Sequence, residues 1–319
     1  MSVNFTSFDE GDVDGYLDYQ SSTRSATLGI TLKDHSFSFY AEDRPFKGYL
    51  VIITESPPDF VKWRLWLNNF SLTKEFKPNL TYPLEDRREL HFHIFDVTHL
   101  IAKGKNELTV NYNGARPLTV RLTNVTMVMK SVGFLTKYSL KGGLLQVRPG
   151  EVIYLTSMGK NCIIMKNNSR GRIKLFNGKN SEDILELGPD CEEIDAEGES
   201  LKIANHSTDH RAITQLLLHY TYKSQTPILD FDVVPLISGD TLSLKVVNTG
   251  DVDIEKVTVN VMINGVTIGF KTIERVSKGG EAQCTLPLPK KKGSLFIRSV
   301  GIRAGLRKIV DKELNREAT

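Results

Sequence analysis

The segment Phe92–Val110 constrains the fold of this chain more than any other stretch. It consists of an apolar strand, a tight corner at Asp96–Thr98, a short polar turn and a second strand. The polar side chains at the two ends of the corner can hydrogen-bond local backbone groups, and Gly104 and Asn106 suit the turn that follows. Strands joined by such short polar turns are typical of a β-sandwich.

Short apolar runs and alternating apolar and polar residues dominate the rest of the chain, and helical periodicity is nearly absent. The clearest predicted strands are Gly48–Thr54, Lys62–Leu67, Leu118–Met129, Glu151–Leu155, Leu242–Val247, Lys256–Ile263 and Ser294–Ile302. Asn-Gly, Pro-Pro, Gly-Gly and Gly-Asp turns separate them. We therefore predict an all-β protein.

The length of 319 residues exceeds what one ordinary sandwich core needs, and 40% hydrophobic with 25% charged residues is normal for a folded protein. The strands group into three blocks of similar size, so we predict three tandem β-sandwich domains. Their bounds are residues 1–130, 131–223 and 228–305, with a Lys-Ser-Gln-Thr-Pro linker at 223–227. The densely charged residues 306–319 predict a solvated C-terminal tail.

Charge and hydropathy exclude two classes of partner. The net charge of +3 is small and evenly spread, so we expect no nucleic-acid partner. No run approaches about 18 apolar residues, so we expect no membrane insertion. The first ten residues lack the basic and apolar regions of a secretory signal. The three cysteines form no C-x-x-C pair, and we expect Cys162, which precedes an apolar run, to be a buried thiol.

The order of elements in the first block resembles a known family. An apolar strand, Gly48–Thr54, is followed by Trp63–Asn69, by the Asp96–Thr98 corner and by Gly104–Val110. This order, over about residues 45–130, resembles the galactose-binding-domain-like jelly roll, known as the sugar-binding domain of family 2 glycoside hydrolases. The resemblance implies a jelly-roll fold. It implies little about function, because many such domains only shape their neighbours.

The third block resembles a second family. Ser238–Asp251 has the pattern G-D-x-L-x-L-x-V-x-N-x-G, and Lys256–Gly265 and Ile273–Glu281 continue it with alternating strands and hairpin turns. The pattern is similar to that of the immunoglobulin-like CARDB domains. Such domains usually serve as spacers and adhesion modules of surface proteins. The middle block resembles no family that we can name.

A candidate binding surface lies on the strand Trp63–Asn69, where alternation separates two faces. The residues assigned to the core are Trp63, Leu65 and Leu67. The residues assigned to the opposite face are Arg64, Trp66 and Asn68. An indole between a cation and an amide is a surface on which a sugar ring can stack. The alternative is that Trp66 packs under a loop or against another domain.

Acidic residues and histidines are the candidate metal ligands. Asp9, Asp12 and Asp14 lie in one acidic stretch, and hard cations such as calcium take several oxygens from loops of this kind. A structural calcium ion is thus the one cofactor that the sequence suggests; the alternative is an exposed acidic loop. His91 and His93 share a strand face and could hold a metal with a third ligand. The favoured alternative for this pair is a polar outer face.

Glycosylation sequons are more frequent than chance gives. The motif Asn-x-Ser/Thr occurs at Asn4, Asn69, Asn79, Asn124, Asn167 and Asn205. These asparagines accept glycans only in a compartment that has the machinery. Together with the two resemblances, the excess of sequons favours a surface-exposed location for this protein.

No familiar catalytic motif is present, neither a Gly-x-Ser-x-Gly elbow nor a His-Glu-x-x-His helix nor a phosphate loop. We therefore expect a non-enzymatic structural and recognition component of a surface assembly, such as a virus particle or a cell-surface appendage. It would act through contacts between domains and between subunits of a homo- or hetero-oligomer. One alternative is a carbohydrate-binding protein that uses the first domain. The other is an enzyme whose site spans domains. A virion or an extracellular surface is the favoured location, with the cytoplasm as the alternative.

Overall fold

The computed structural model describes residues 5–58, 61–73, 77–84, 87–131, 133–177, 182–225, 227–290, 293–303 and 306–316. The chain divides into two compact units, Met1–Ser131 with Leu135–Ser224 and Val132–Phe134 with Gln225–Thr319. Among the described residues, the only helical element is a short 3-10 turn at Thr98–Leu100. In these ranges no helix is long and apolar enough to cross a membrane. The predicted all-β sandwich architecture is confirmed.

The strands of the first unit are β1 (Thr6–Val13), β2 (Gly15–Ser22), β3 (Ala26–Leu28), β4 (Asp34–Ala41), β5 (Lys47–Ser56), β6 (Arg64–Leu67), β7 (Phe70–Thr73), β8 (Leu80–Pro83), β9 (Glu89–Asp96), β10 (Gly104–Asn111), β11 (Leu118–Lys130), β12 (Leu135–Val147), β13 (Val152–Asn167), β14 (Gly171–Phe176), β15 (Glu182–Leu187), β16 (Glu192–Asn205) and β17 (Thr214–Gln225). The predicted strands Gly48–Thr54 and Leu118–Met129 lie within β5 and β11, whereas Lys62–Leu67 and Glu151–Leu155 begin one or two residues before β6 and β13.

Three antiparallel sheets build the first unit. The four-stranded sheet has the order β4-β10-β6-β7, and the seven-stranded sheet has the order β1-β12-β17-β13-β16-β14-β15. The central six-stranded sheet has the order β2-β11-β5-β9-β8, with β3 also paired to β11. The central sheet is apolar on both faces. On β5, Leu50 and Ile52 pack towards the four-stranded sheet, while Val51 and Ile53 pack towards the seven-stranded sheet. A strand buried on both faces reads as a continuous apolar run, as this one does.

The first unit includes the two blocks that the sequence analysis separates at residue 130. β1 pairs with β12, with Val13 opposite Thr136, so the N-terminal strand completes a sheet that is otherwise built from residues 135–225. Asp9 on β1 also binds Lys47 Nζ at 2.8 Å and accepts a hydrogen bond from the Tyr138 hydroxyl at 2.8 Å. Burial opposes the charge of Lys47, but its hydrogen bonds to Asp9 and Tyr138 raise its pKa above the ordinary value.

The Asp96–Thr98 corner forms as the sequence predicts. The Asp96 carboxylate accepts hydrogen bonds from the Thr98 backbone N–H at 3.0 Å and from the Thr98 hydroxyl at 2.6 Å. These bonds hold the pKa of Asp96 below its usual range. The Thr98 hydroxyl oxygen also accepts from the Gly48 N–H at 2.9 Å. The corner therefore fixes the end of β9 to the start of β5.

The cysteines of the first unit are free, buried thiols, as predicted for Cys162. Cys162 and Cys191 both lie in the core between the central and seven-stranded sheets. Burial raises the pKa of both thiols, that of Cys191 to about 12. They are therefore protonated, inert packing groups at neutral pH.

The strands of the second unit are β18 (Phe231–Ser238), β19 (Thr241–Asn248), β20 (Ile254–Ile263), β21 (Val266–Val276), β22 (Glu281–Pro287), β23 (Gly293–Arg303) and β24 (Leu306–Arg316). They form a three-stranded sheet, β18-β19-β22, and a four-stranded sheet, β21-β20-β23-β24. Alternate residues of both sheets pack into one shared apolar core. This is the two-layer arrangement of a β-sandwich.

Residues 306–316 form β24, and the prediction of a solvated tail is wrong for them. β24 pairs with β23 along its whole length, and Val310 and Leu314 are partly buried against the core. Lys308 binds Asp230 at 3.1 Å, and Lys312 binds Asp232 at 2.8 Å. The dense charges of this segment thus belong to a paired edge strand, which local charge density alone does not distinguish from a tail.

Candidate functional site

The outer face of the four-stranded sheet of the first unit carries a half-buried indole among short polar side chains. Trp66 on β6 lies opposite Thr109 on β10, and Thr109 lies opposite Ser36 on β4. Residues directly opposite one another in antiparallel strands share a face, so these three form a row across the sheet. The hydroxyl oxygens of Ser36 and Thr109 are 3.1 Å apart.

Charged and amide groups lie on both sides of this row. On one side, Arg64 is opposite Asn111, whose Nδ2 donates to Asp34 Oδ1 at 2.6 Å. On the other side, Glu107 and Lys105 follow along β10, and both are exposed. The face therefore offers two basic and two acidic groups around its centre, which leaves its formal charge balanced.

Local alternation explains why Trp66 stands on this face. The three residues predicted for the core, Trp63, Leu65 and Leu67, are buried. Trp66 lies between the two buried leucines and points the other way, so a strand that satisfies the core must leave this indole outside. A groove of about 430 Å³ begins at Trp66 and continues past Lys105, Glu107 and Thr109.

Asn68, the third residue predicted for the binding surface, lies in the turn after β6 with a left-handed backbone (φ 51°). Its Nδ2 donates to the Leu100 carbonyl at 2.9 Å and to Asn106 Oδ1 at 2.7 Å. Its Oδ1 accepts from the Glu107 N–H at 3.0 Å. The amide is thus engaged in holding the turn, although the residue borders the groove.

The sequence analysis missed the members of this face that lie on β4. Ser36, Ser38 and Tyr40 are exposed, while Phe37 and Phe39 pack against the core. This is a strict alternation, and it is visible in the sequence. This alternation could have identified β4 as a strand with a polar outer face. The face carries one aromatic ring, that of Tyr40, which is 58% exposed.

His91 and His93 do not lie on a polar outer face, because β9 is covered on both sides. They line a pocket of about 210 Å³ together with Trp63, whose ring meets the His93 ring edge-on at 5.0 Å between centroids. The His91 nitrogens lie 3.2 Å from the Ser56 hydroxyl and 3.2 Å from the Thr81 hydroxyl. His91 thereby joins β5, β8 and β9.

Burial controls the protonation of this histidine pair. It lowers the pKa of both rings, and the pKa of His93 falls to about 3. Both are therefore neutral at pH 7. No group of three or more metal-binding side chains occurs anywhere in the part of the chain that the structure describes. The geometry assigns the pair a packing and hydrogen-bonding role.

The predicted acidic loop is a strand. Asp9 lies on β1 and is held by Lys47, and Asp12 and Asp14 are exposed. The three carboxylates form no metal-binding group within the described ranges. Asp9 is thus engaged by a cation of the protein itself, and the structural calcium ion stays a prediction.

The six sequons fall into three groups. Asn4 lies outside the described residues. Asn69 and Asn79 are exposed. The buried asparagines are Asn124, Asn167 and Asn205.

Hydrogen bonds show why glycans do not fit at the buried sequons. The Asn205 side chain, 1% exposed, donates to the Val147 carbonyl at 2.9 Å and to the Ala212 carbonyl at 2.7 Å. Asn124 Nδ2 donates to the Ser21 hydroxyl at 3.0 Å, and its Oδ1 accepts from the Tyr220 hydroxyl at 2.7 Å inside the core between two sheets. A glycan on either nitrogen would displace these partners, so the prediction of glycosylation is wrong for the buried positions of the folded protein.

Comparisons with known proteins leave the family open. No family model and no curated protein matches the chain. Among solved structures, a β-glucuronidase from Parabacteroides merdae is 11% identical over 57% of this chain and 28% of that chain, with a TM-score of 0.23. A β-glucuronidase from Ruminococcus gnavus, in complex with D-glucaro-d-lactam, is 10% identical over 57% and 36%, with a TM-score of 0.21. The chain thus matches only about a third of each enzyme, and likeness at this level identifies no activity.

Proposed function

We propose that this chain is a non-enzymatic recognition protein that binds glycans on the outer face of its first four-stranded sheet. The observation that carries the proposal is the position of Trp66, half-exposed in a row with the hydroxyls of Thr109 and Ser36. A pyranose ring can place its apolar C–H face on an indole while its hydroxyls exchange hydrogen bonds with short polar side chains.

The sequence patterns support a finer assignment of the modules. The order of motifs over residues 45–130 supports a galactose-binding-like jelly roll. The pattern of Ser238–Asp251 supports a CARDB-like domain in the second unit, acting as a spacer. In this proposal the first unit binds the ligand, and the second unit is the spacer that connects the first unit to a surface.

The pairing of two carboxylates of the first unit supports a non-enzymatic role. Glu55, 2% exposed, is bound by Arg121 and by Arg88 at 2.9 Å. Asp9 is bound by Lys47 and Tyr138. Each carboxylate is engaged in holding sheets together, which leaves neither available to a substrate as an acid or base.

A glycan array probed with the purified chain, followed by calorimetric titration of the glycans that bind, tests the proposal. We expect Trp66→Ala to abolish binding and Trp66→Phe to retain part of it, because a smaller ring still stacks. Tyr154→Ala is the matched control, since Tyr154 is an aromatic side chain, 74% exposed, on a different sheet. Absence of binding across the array, or equal binding by Trp66→Ala with an unchanged circular dichroism spectrum, would reject the proposal.

The second candidate function is a structural subunit of a surface assembly, with a second copy of this chain as the partner. The outermost strand β21 of the second unit exposes Val266 (68%) and Phe270 (62%). Exposed apolar side chains on an edge strand favour pairing between chains. Sedimentation velocity over a range of concentrations should then show a dimer or larger species that Phe270→Lys dissociates. A wild-type monomer at all concentrations would reject this candidate.

A further inference from the structure

We infer that the ligand of this face is a neutral, linear glycan of at least three sugars that extends from Trp66 to Tyr40. The inference rests on the proposed function and adds the class and minimum length of the ligand. It follows from the placement of two aromatic rings on one sheet face and from the charges between them.

Strand register fixes the separation of the two rings. Tyr40 on β4 is opposite Lys105 of β10, and Trp66 on β6 is opposite Thr109 of the same strand. Lys105 and Thr109 are four residues apart, and β4 and β6 flank β10 on its two sides. With the rise and spacing of antiparallel strands, the two aromatic positions are about 17 Å apart along a diagonal of the face. A single sugar or a disaccharide is too short to contact both, whereas three linked pyranose rings span a distance of this order.

The outward-facing residues of β10 lie between the two aromatic residues. Trp66, Thr109, Glu107 and Lys105 line one groove. Tyr40 lies opposite Lys105, one of the residues of this groove. Tyr40 and Trp66 face the same side because both lie opposite outward-facing residues of β10.

The backbone of Tyr40 is held in place independently of any ligand. Gln20 Nε2 donates to the Tyr40 carbonyl at 2.7 Å, and Gln20 Oε1 accepts from the Tyr40 N–H at 3.0 Å. β4 is also paired along its length with β10. Fixing a stacking residue before the ligand arrives lowers the entropic cost of binding.

The charges of the face argue for a neutral glycan. Arg64 and Lys105 are matched by Asp34 and Glu107, so the face has no excess of either sign. An acidic polysaccharide would meet two carboxylates and gain nothing over a neutral chain of the same length. Neutral hydroxyls can instead exchange hydrogen bonds with groups of both signs.

Titration calorimetry with neutral cello-, manno- and xylo-oligosaccharides of increasing length, and with oligogalacturonates of the same lengths, tests the inference. For the neutral series that binds, we expect affinity to rise up to the trisaccharide and then to level off. Tyr40→Ala should lower the affinity for the trisaccharide and longer chains roughly fivefold, and leave mono- and disaccharide binding unchanged. Tyr40→Phe should behave as the wild type, because it keeps the ring.

Three outcomes would overturn the inference while the proposed function stands. They are Trp66-dependent binding with no dependence on length beyond one sugar, an equal loss for all lengths in Tyr40→Ala, and tighter binding of oligogalacturonates than of neutral chains. Binding that does not depend on Trp66 would instead reject the proposed function, and with it the inference.

Discussion

The side-chain amide of Gln20 forms both backbone hydrogen bonds that a neighbouring strand would offer to Tyr40. Its Nε2 donates to the Tyr40 carbonyl at 2.7 Å, and its Oε1 accepts from the Tyr40 N–H at 3.0 Å. Gln20 lies on the outermost strand of the central sheet, and Tyr40 on the outermost strand of the four-stranded sheet. One amide thus covers part of an open strand edge and joins two layers of the first unit.

We expect Gln20→Ala to lower the free energy of unfolding by about 1 kcal/mol, because both Tyr40 backbone groups lose this partner and are left to water. The exposed edge should also increase self-association. Urea denaturation measures the first effect and size-exclusion chromatography the second. Gln20→Glu is the informative control, since a carboxylate still accepts from the Tyr40 N–H but no longer donates. Stability equal to that of the wild type in Gln20→Ala would contradict the assigned role.

Removal of the buried carboxylate of Glu55 should lower the free energy of unfolding more than Gln20→Ala does. Glu55 on β5 is bound by Arg121 on β11 and by Arg88 just before β9, and it is 2% exposed. Glu55→Ala leaves the guanidinium of Arg121, whose side chain is 14% exposed, without its carboxylate partner, for which we expect a loss of about 3 kcal/mol in chemical denaturation. Arg88→Ala, which removes a partner with a 42% exposed side chain, should cost much less. Similar losses in both variants would argue against a buried charge network.

The buried histidines should make the first unit less stable at acidic pH. Burial lowers the pKa of His93 to about 3 and of His219 to about 4, whereas in the unfolded chain histidine titrates near 6.5. Between these values the unfolded state binds protons that the folded state excludes, so the free energy of unfolding falls as pH decreases. The slope is about 1.4 kcal/mol per pH unit for each histidine.

Denaturation between pH 7 and pH 4 measures this effect. The His93→Gln variant should have a shallower dependence on pH than the wild type, because it removes one of the buried histidines whose pKa is lowered. His210→Gln is the control, since His210 is 90% exposed at its side chain. Identical pH profiles for wild type and His93→Gln would show that His93 is not the group that titrates.

Glycan occupancy at each sequon should depend on the exposure of its asparagine, and the presence of the motif alone should not be sufficient. When the chain is expressed in a secretory pathway, we expect glycans on the folded protein at Asn69 or Asn79 and none at Asn124, Asn167 or Asn205, which are buried. Peptide mapping by mass spectrometry of the monodisperse fraction measures occupancy at each position. A fully folded fraction with a glycan at Asn205 would contradict the hydrogen bonds of its side chain.

The sequence predicts most of the strands because each is a local pattern. Alternation assigned Trp63, Leu65 and Leu67 to the core, and all three are buried. The hydrogen bonds of the Asp96–Thr98 corner were also predictable, since they join residues two positions apart. Local rules of pleat and turn chemistry determine both features.

The remaining features depend on which strands become neighbours. His91 and His93 alternate as an outer face would, but the central sheet is covered on both faces, which only the pairing of distant strands reveals. The burial of three sequons could not be predicted for the same reason, since Asn124 is covered by Tyr220 from the seven-stranded sheet. The outer face around Trp66 was predicted from one strand, and its β4 members were missed because no partner strand was assigned.

The pairing of β1 with β12 has a consequence for synthesis and folding. β1 leaves the ribosome well before its partner β12, which begins at Leu135, and before β17, the next strand in the sheet, which ends at Gln225. Contacts this distant in sequence form late and slowly. The nascent chain must therefore keep β1 unpaired until most of the first unit has been translated, and chaperone binding to Thr6–Val13 would protect it during that interval.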